Sequence, residues 1–527
     1  MRQSFKAVLG LALALSAAGC SDYLSGPGVD QDPNNVINLQ RAAPLYVGIQ
    51  AAGPVQREGQ LARWAVLYMQ QGAGIARQQA DFDLYGATQA DADTYFGAVY
   101  GTSNVVTGGG GLLDIHKVQQ IALAAGDSLY VGIAKVYEAL YIGYAADLWG
   151  DIPYREAADS TIRTPAYDPQ LQVYADLQAQ LDEAITIYLA AAGPTNQGPA
   201  ADGSELIYGG RTAAQLRAVY TAVAHSLKAR LYLHVAEVQG QSAYAAALAQ
   251  VPLGISTPAD DFLWFHDLTP SGRNIWWQFE NSRAGDLGPG AALVEILKDR
   301  IAEGVETNNR LAFYFTTANA PAPPAADGSN FVGYRPGFTT GMPTSGGIFN
   351  GTAAAFSTPA PHFGGINEAV SDFRAPEITY AETQLIGAEA ALLTGDAGLA
   401  QTYLNNARTN RFFGSLGGVP VGFGTAPGVL AATLENIIEE KYTTLFLNPE
   451  VWNDYKRTCF PSLAPAPTST APGSAPRTTQ IPGRVPYGQS ELSSNPNAPD
   501  VSATGQNPND PNACPALNYT SSTPLAN

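Results

Sequence analysis

Residues 376–411 read PEITYAETQLIGAEAALLTGDAGLAQTYLNNARTNR. Pro376 stands where a first helical residue can lack its N–H. From there Ile378, Leu385, Ala388 and Leu392 fall along one apolar stripe, which predicts a helix over 376–394. Gly395-Asp396 stops that helix, and a second begins at Ala397. Two antiparallel helices joined by a short turn are the unit of tetratricopeptide-like stacking.

The same signature recurs along the 527 residues. Ala- and Leu-rich segments predict helices over roughly 39–51, 55–71, 92–124, 129–147, 169–190, 212–238, 241–250, 290–303, 376–394, 397–411 and 430–447. Several form pairs, without a regular repeat. Residues 251–290 and 305–372 break the pattern: they are rich in Gly, Pro, Thr, Asn and aromatics. Rings argue against disorder there, and long irregular stretches in a folded domain are usually functional. The expected fold is mainly α, with tetratricopeptide-like stacked helix pairs as the scaffold (about 39–250 and 373–458). A large loop-rich, ligand-binding insert (about 251–372) and an irregular C-terminal segment (about 459–527) complete a single domain over 39–527.

The N-terminus predicts an address. Arg2 and Lys6 precede an apolar run from Ala7 to Leu15 that is too short to span a bilayer, so residues 1–19 read as a signal peptide. The sequence LSAAGC ending at Cys20 resembles a bacterial lipobox, in which that Cys carries acyl chains. Residues 20–38 then read as the lipidated Cys and a polar tether.

Composition narrows the function classes. Only 14% of residues are charged, yet the formal net charge is −18. Such a surface repels nucleic acid, whose binding needs Lys and Arg to displace counterions. It suits a neutral ligand such as an uncharged sugar. With Cys20 lipidated, Cys459 and Cys514 remain, either as a disulfide, which an extracytoplasmic compartment permits, or as two thiols. The five His residues form no metal set and no cofactor motif appears. Asp81, Asp83, Asp91 and Asp93 alternate without an EF-hand loop and read as a solvated acidic face. Neither a nucleophile elbow nor an assigned carboxylate pair speaks for an enzyme.

Five motifs in order carry a family resemblance: the lipobox Cys20; YIGYAADLWGDIPY over 141–154; the paired helices with Glu382, Glu389, Asn405, Arg408 and Arg411; IIEEKY over 437–442 with VWNDYKR over 451–457; and RVPYGQSEL over 484–492. Together they resemble the SusD/RagB family of outer-membrane nutrient-binding lipoproteins. Gly488 departs from the family's Pro, and Lys441 from its Arg. Of the insert, only Asn309-Arg310-Leu311 is similar to a family element. Asp147, Asp151, Glu382, Glu389, Arg408, Arg411, Asp454 and Arg457 read as ion pairs between helices, because Arg forks suit paired carboxylates. The resemblance implies a lipid-anchored protein facing the cell exterior from the outer membrane. Its partner would be a SusC-like TonB-dependent transporter, and its cargo an oligosaccharide or, as in the RagB branch, a peptide. A helical structural adaptor is the remaining reading.

Ring faces of sugars stack on aromatics, and amides or carboxylates take the hydroxyls. Trp276 and Trp277, with Arg273 and Asn274, are the first candidates. If they lie on a strand, only one indole faces a ligand. Trp64, Tyr68, Tyr85, Tyr95 and Tyr334 are further candidates.

Overall fold

The computed structural model describes residues 41–101, 109–159, 161–283, 285–316, 325–337, 358–359, 371–416, 418–467, 480–499 and Cys514. The signal peptide, Cys20 and the tether lie outside them, as do much of the insert and most of the C-terminal segment. The described residues from 43 onwards form one body.

Helices dominate, and the pair at 380–409 shows why they stack. The longer ones, in chain order, are α1 (Ala42–Arg57), α2 (Gln60–Tyr68), α3 (Arg77–Phe82), α4 (Gln89–Tyr100), α5 (Leu112–Ala125), α6 (Ser128–Trp149), α7 (Gln170–Glu183), α8 (Ala213–His234), α9 (Gln241–Gln250), α10 (Ile275–Ser282), α11 (Ala291–Ala302), α12 (Asn309–Tyr314), α13 (Tyr380–Leu393), α14 (Ala397–Thr409), α15 (Leu434–Thr444) and α16 (Glu450–Thr458). α13 is buried on both sides. Leu385 and Ala388 pack with Leu404 and Ala407 of α14 and Ile437 of α15. Ile386 and Ala390 pack with Ala229 and Leu233 of α8 and Ala247 of α9. Gly387 permits that approach: a Cβ there would stand 3.0 Å from both Tyr403 and Val251. Asp396 caps α14 by accepting from Leu399 N at 2.9 Å.

The helix predicted over 376–394 starts later. Pro376–Ile378 is a strand, β6, paired antiparallel with β2 (Phe262–Leu263), with Phe262 opposite Ile378. Thr379 is the cap, its Oγ1 accepting from Glu382 N at 3.1 Å. Ile378 therefore belongs to the strand and not to the helix stripe. The helix predicted over 92–124 is two, α4 and α5. Gly101 ends α4 in the left-handed region at φ +85°. The break expected between residues 51 and 55 falls instead after Arg57, since α1 carries Pro54 in its last turn. α7 continues into a π-helical turn over Ala184–Leu189. Part of the insert is helical scaffold: α12 places Arg310 fully inside, 2.8 Å from Glu440 of α15.

Two of the quoted motifs meet. Trp149 Nε1 donates to Pro486 O at 2.8 Å, and Tyr487 OH donates to Trp149 O and Asp151 O at 2.9 and 2.7 Å. Gly488 fits where a Cβ would stand 3.0 Å from Asp93 Oδ1, and that carboxylate takes Ser490 N at 2.6 Å.

Ion pairs run through the interior between α1, α6, α8, β6, α13 and α16. Arg230 forks onto Glu382 with two bonds of 2.7 Å and reaches Glu377 at 3.1 Å. His234 stands 2.7 Å from Glu450 and 2.9 Å from Asp147. Arg457 pairs with Glu389 and Asp454, Lys441 with Asp454 at 2.5 Å, Arg411 with Glu306, and Arg408 with Glu440 at 2.9 Å. Asp151 instead accepts from the backbone N–H of Gln170, at the start of α7, at 2.9 Å.

Two outcomes are expected. Leu385→Ala leaves a cavity that α14 and α15 cannot fill, costing roughly 2–5 kcal/mol in urea denaturation. Burial alone would lower the pKa of His234, but Asp147 and Glu450 overcome it and hold the imidazolium up to about 9, against an ordinary 6.5. Its raised value makes its stabilisation complete below about pH 6.5, and the stabilisation is lost as pH rises through about 9. Urea midpoints of His234→Gln should therefore change less between pH 6 and 9 than those of the parent.

Candidate functional site

The segment Gly272-Arg273-Asn274 leads into α10, and Asn274 sets its start. Its Oδ1 accepts from Trp277 N at 3.0 Å, while Nδ2 donates to Glu58 and to Phe373 O, both at 2.9 Å. Asn274 is thus a buried cap. Trp276 and Trp277, expected in the loop-rich insert, lie on a helix, about 100° apart around its axis, and both are 2% exposed. Trp276 lines two small cavities of about 10 and 20 Å³.

Of the aromatic rings on α10, Phe279 is the one left half-exposed. The Arg63 guanidinium, from α2, lies over that ring with Cζ 4.2 Å from its centroid. Next to Arg63 on α2, Trp64 is fully buried and meets half-exposed Tyr95 of α4 edge-on at 6.1 Å. Arg273 lies over Trp277 at 5.0 Å, and Arg283 is exposed near Arg63. The result is a patch of two half-exposed rings, Tyr95 and Phe279, with the Arg63 guanidinium beside both and Arg283 near it. The buried indole of Trp64 backs Tyr95. Burial lowers the Arg63 pKa to about 10. Beneath it, burial pushes the Glu280 carboxyl up to about 8, and Asp286 adds to the shift.

The other expected aromatics are placed in the core. Tyr68 meets Tyr85 and Trp452 edge-on, both at 5.3 Å. Tyr85 OH accepts from Ala466 N at 2.8 Å. Tyr334 packs on Gly288, and its backbone bonds Pro289 and Ala291 at 2.8 Å. As placed, Trp64, Tyr68, Tyr85, Trp276, Trp277 and Tyr334 have no face open to a ligand. Of the expected residues, Tyr95 belongs to the patch, while Arg273 is half-exposed where it covers Trp277. Phe279, Arg63 and Arg283 were not among those expected. The missed signal was Asn274 three residues before Trp277, the spacing of a helix cap.

Of the four carboxylates expected on a solvated acidic face, Asp81 is exposed and Asp91 and Asp93 are half-exposed, but Asp83 is corrected. Asp83 is buried and accepts from Gly337 N at 2.6 Å, and Asp91 closes the cap of α4 with Thr88. Cys459 and Cys514 are bonded, with Cα atoms 5.3 Å apart. Asp147, His234 and Glu450 are the one group among the described residues with converging metal-ligating atoms. The imidazole spends opposite nitrogens on the two carboxylates, 2.9 Å from Asp147 and 2.7 Å from Glu450. It is an ion-pair relay.

Stacked helix pairs with a half-aromatic surface patch define a helical binding scaffold. A family model described as starch-binding, associating with the outer membrane, matches residues 55–488. The chain belongs to this SusD-like family of nutrient-binding outer-membrane proteins. Solved structures of similar fold include a chitin-binding protein, with 19% identity over 87% of this chain and 95% of that one, TM-score 0.62. Others are a SusD/RagB family protein from Bacteroides thetaiotaomicron (17% identity, 86% and 94% covered, TM-score 0.61) and a SusD homologue from Bacteroides fragilis (16%, 88% and 98%, 0.60). No curated protein sequence matches. No helix among the described residues is long and apolar enough to cross a membrane.

Glu280 offers a test of the patch's electrostatics. Its raised pKa means that its stabilisation is full below about pH 4.5 and is lost as pH rises through about 8. Glu280→Gln should flatten the pH dependence of the urea midpoint between those limits, a change that parallel titrations of the two proteins would read.

Proposed function

We propose that this chain is a surface nutrient-binding lipoprotein. It is anchored through Cys20, captures an oligosaccharide and delivers it to a SusC-like TonB-dependent transporter in the outer membrane. The family match over 55–488 is the observation that carries this reading. The patch supplies its chemistry. Tyr95 and Phe279 offer ring faces to the C–H faces of sugars, while Arg283 donates to hydroxyls. Binding here needs no reacting group, so release of the intact glycan is expected. The likeness to a chitin-binding protein favours a glycan over a peptide as cargo.

The test is calorimetry on protein beginning at Ser21, without the lipid, against chito-, malto- and cello-oligosaccharides, larger glycans and peptides. Saturable binding to one glycan class, with no products released, is expected. Tyr95→Ala or Phe279→Ala should weaken it about tenfold, or about 1.4 kcal/mol. Binding to peptides alone, or hydrolysis of any glycan, would overturn this reading.

A further inference from the structure

α5, α6 and α7 enclose a groove of about 570 Å³, within the usual 300–1,000 Å³ of small-molecule sites and built from none of the patch residues. Its floor holds an anomaly. α6 is apolar nearly all round, yet it carries Glu138 into the interior with a side chain only 1% exposed. No Arg or Lys among the described residues forms an ion pair with it. Three other groups, two from α5 and one from the turn after α6, converge on it instead. His116 Nε2 stands 3.1 Å from Oε1, Tyr154 OH donates to Oε1 at 2.7 Å, and Gln119 Nε2 donates to Oε2 at 2.7 Å. Burial pushes the carboxyl up, but His116, Gln119 and Tyr154 together bring it below its ordinary value, so it is an acceptor. A carboxylate has about four acceptor positions. Three are used, which leaves one on a side chain that lines the groove.

The walls have the same character. Arg155 is neutralised by a fork onto Asp176, 2.7 and 2.9 Å. Lys135 neutralises Glu183 at 2.7 Å and holds the amide of Gln180. The cations are therefore spent on partners, and the groove offers amides, an imidazole and a carboxylate without a strong field of either sign. Gln120 and Leu123 form the lip, and Leu123 is 54% exposed, an apolar surface beside polar groups. On α5, His116, Gln119, Gln120 and Leu123 share one face at i, i+3, i+4 and i+7. An anion would meet Glu138, and a wholly apolar ligand would leave its open position unpaired. A ring bearing hydroxyls on its edge and C–H groups on its face satisfies both.

We infer that this groove is a second glycan site, taking a neutral sugar unit whose hydroxyl donates to Glu138 and whose apolar face rests on Leu123. The inference rests on the reading of the cargo as a glycan. The protein from Ser21 contains the whole described fold and serves for the test. Calorimetry and carbene footprinting would use chitotetraose, maltotetraose and cellotetraose at up to millimolar concentration. The variants are Gln119→Leu and Leu123→Asp in the groove and Tyr95→Ala in the patch, with circular dichroism as the check on folding. Leu123 is exposed, so its variant keeps the core intact. The expected result is glycan-dependent masking of α5 and α7, with binding there at least tenfold weaker in either groove variant and unchanged in Tyr95→Ala. Masking confined to α4 and α10, with full binding by both groove variants, would overturn the groove and leave the glycan reading standing. Masking of the groove alone would support it and remove the patch. Binding of none of the three glycans would overturn the groove, and binding of peptides alone in the wider calorimetric panel would overturn the glycan reading with it.

Discussion

Arg230 is the constraint on which the other elements depend. One guanidinium, 4% exposed, forks onto Glu382 at the start of α13, reaches Glu377 on β6 and faces Glu450 of α16 at 3.8 Å. Glu377 also takes Arg57 from α1 and Trp264 Nε1 at 3.0 Å. Glu450 passes the chain on to His234, and His234 to Asp147 of α6, which Tyr174 of α7 bonds at 2.6 Å. Elements from residue 57 to residue 450 thus meet at one hydrogen-bonded set. Buried pairs of this kind are weak evidence for net stability, because desolvation offsets the attraction. Removing one partner is a different matter: it strands a charge and costs about 3–5 kcal/mol. The network therefore penalises misalignment of helices whose apolar faces would tolerate sliding.

That logic explains what could be read in the sequence. Helix pairs were legible because α13 and α14 bring stripe, turn and cap within a few residues of each other. The charged residues of the motifs were legible as scaffold because a carboxylate and an Arg on adjacent helices have few other uses inside a protein. Pro376–Ile378 was not legible as a strand. Its partner, Phe262–Leu263, is more than a hundred residues away, and three residues carry no period of their own. Trp276 and Trp277 were misplaced for a related reason. Two adjacent indoles look like a platform, whereas the buried hydrogen bonds of Asn274 to Glu58 and Phe373 O, which turn both inward, depend on tertiary neighbours. The outcome leaves Phe279, the least conspicuous ring of that run, at the surface. In the groove, the spacing along α5 was visible, but its meaning depended on Glu138 lying opposite.

The network also bears on cargo. The chain has few cations, and Arg57, Arg230, Arg300, Arg310, Arg411 and Lys441 are buried against carboxylates. Positive charge is consumed in alignment, so the excess of acidic groups falls to the exterior. A surface short of free Arg and Lys is a poor platform for phosphate or sulfate groups, which are bound through such cations. It imposes no such penalty on an uncharged, hydroxyl-bearing ligand, which is held by ring faces and by oriented donors and acceptors. The groove at Glu138, whose neighbours Arg155 and Lys135 are paired with Asp176 and Glu183, is of that kind. Its character follows from where the scaffold has placed its charges.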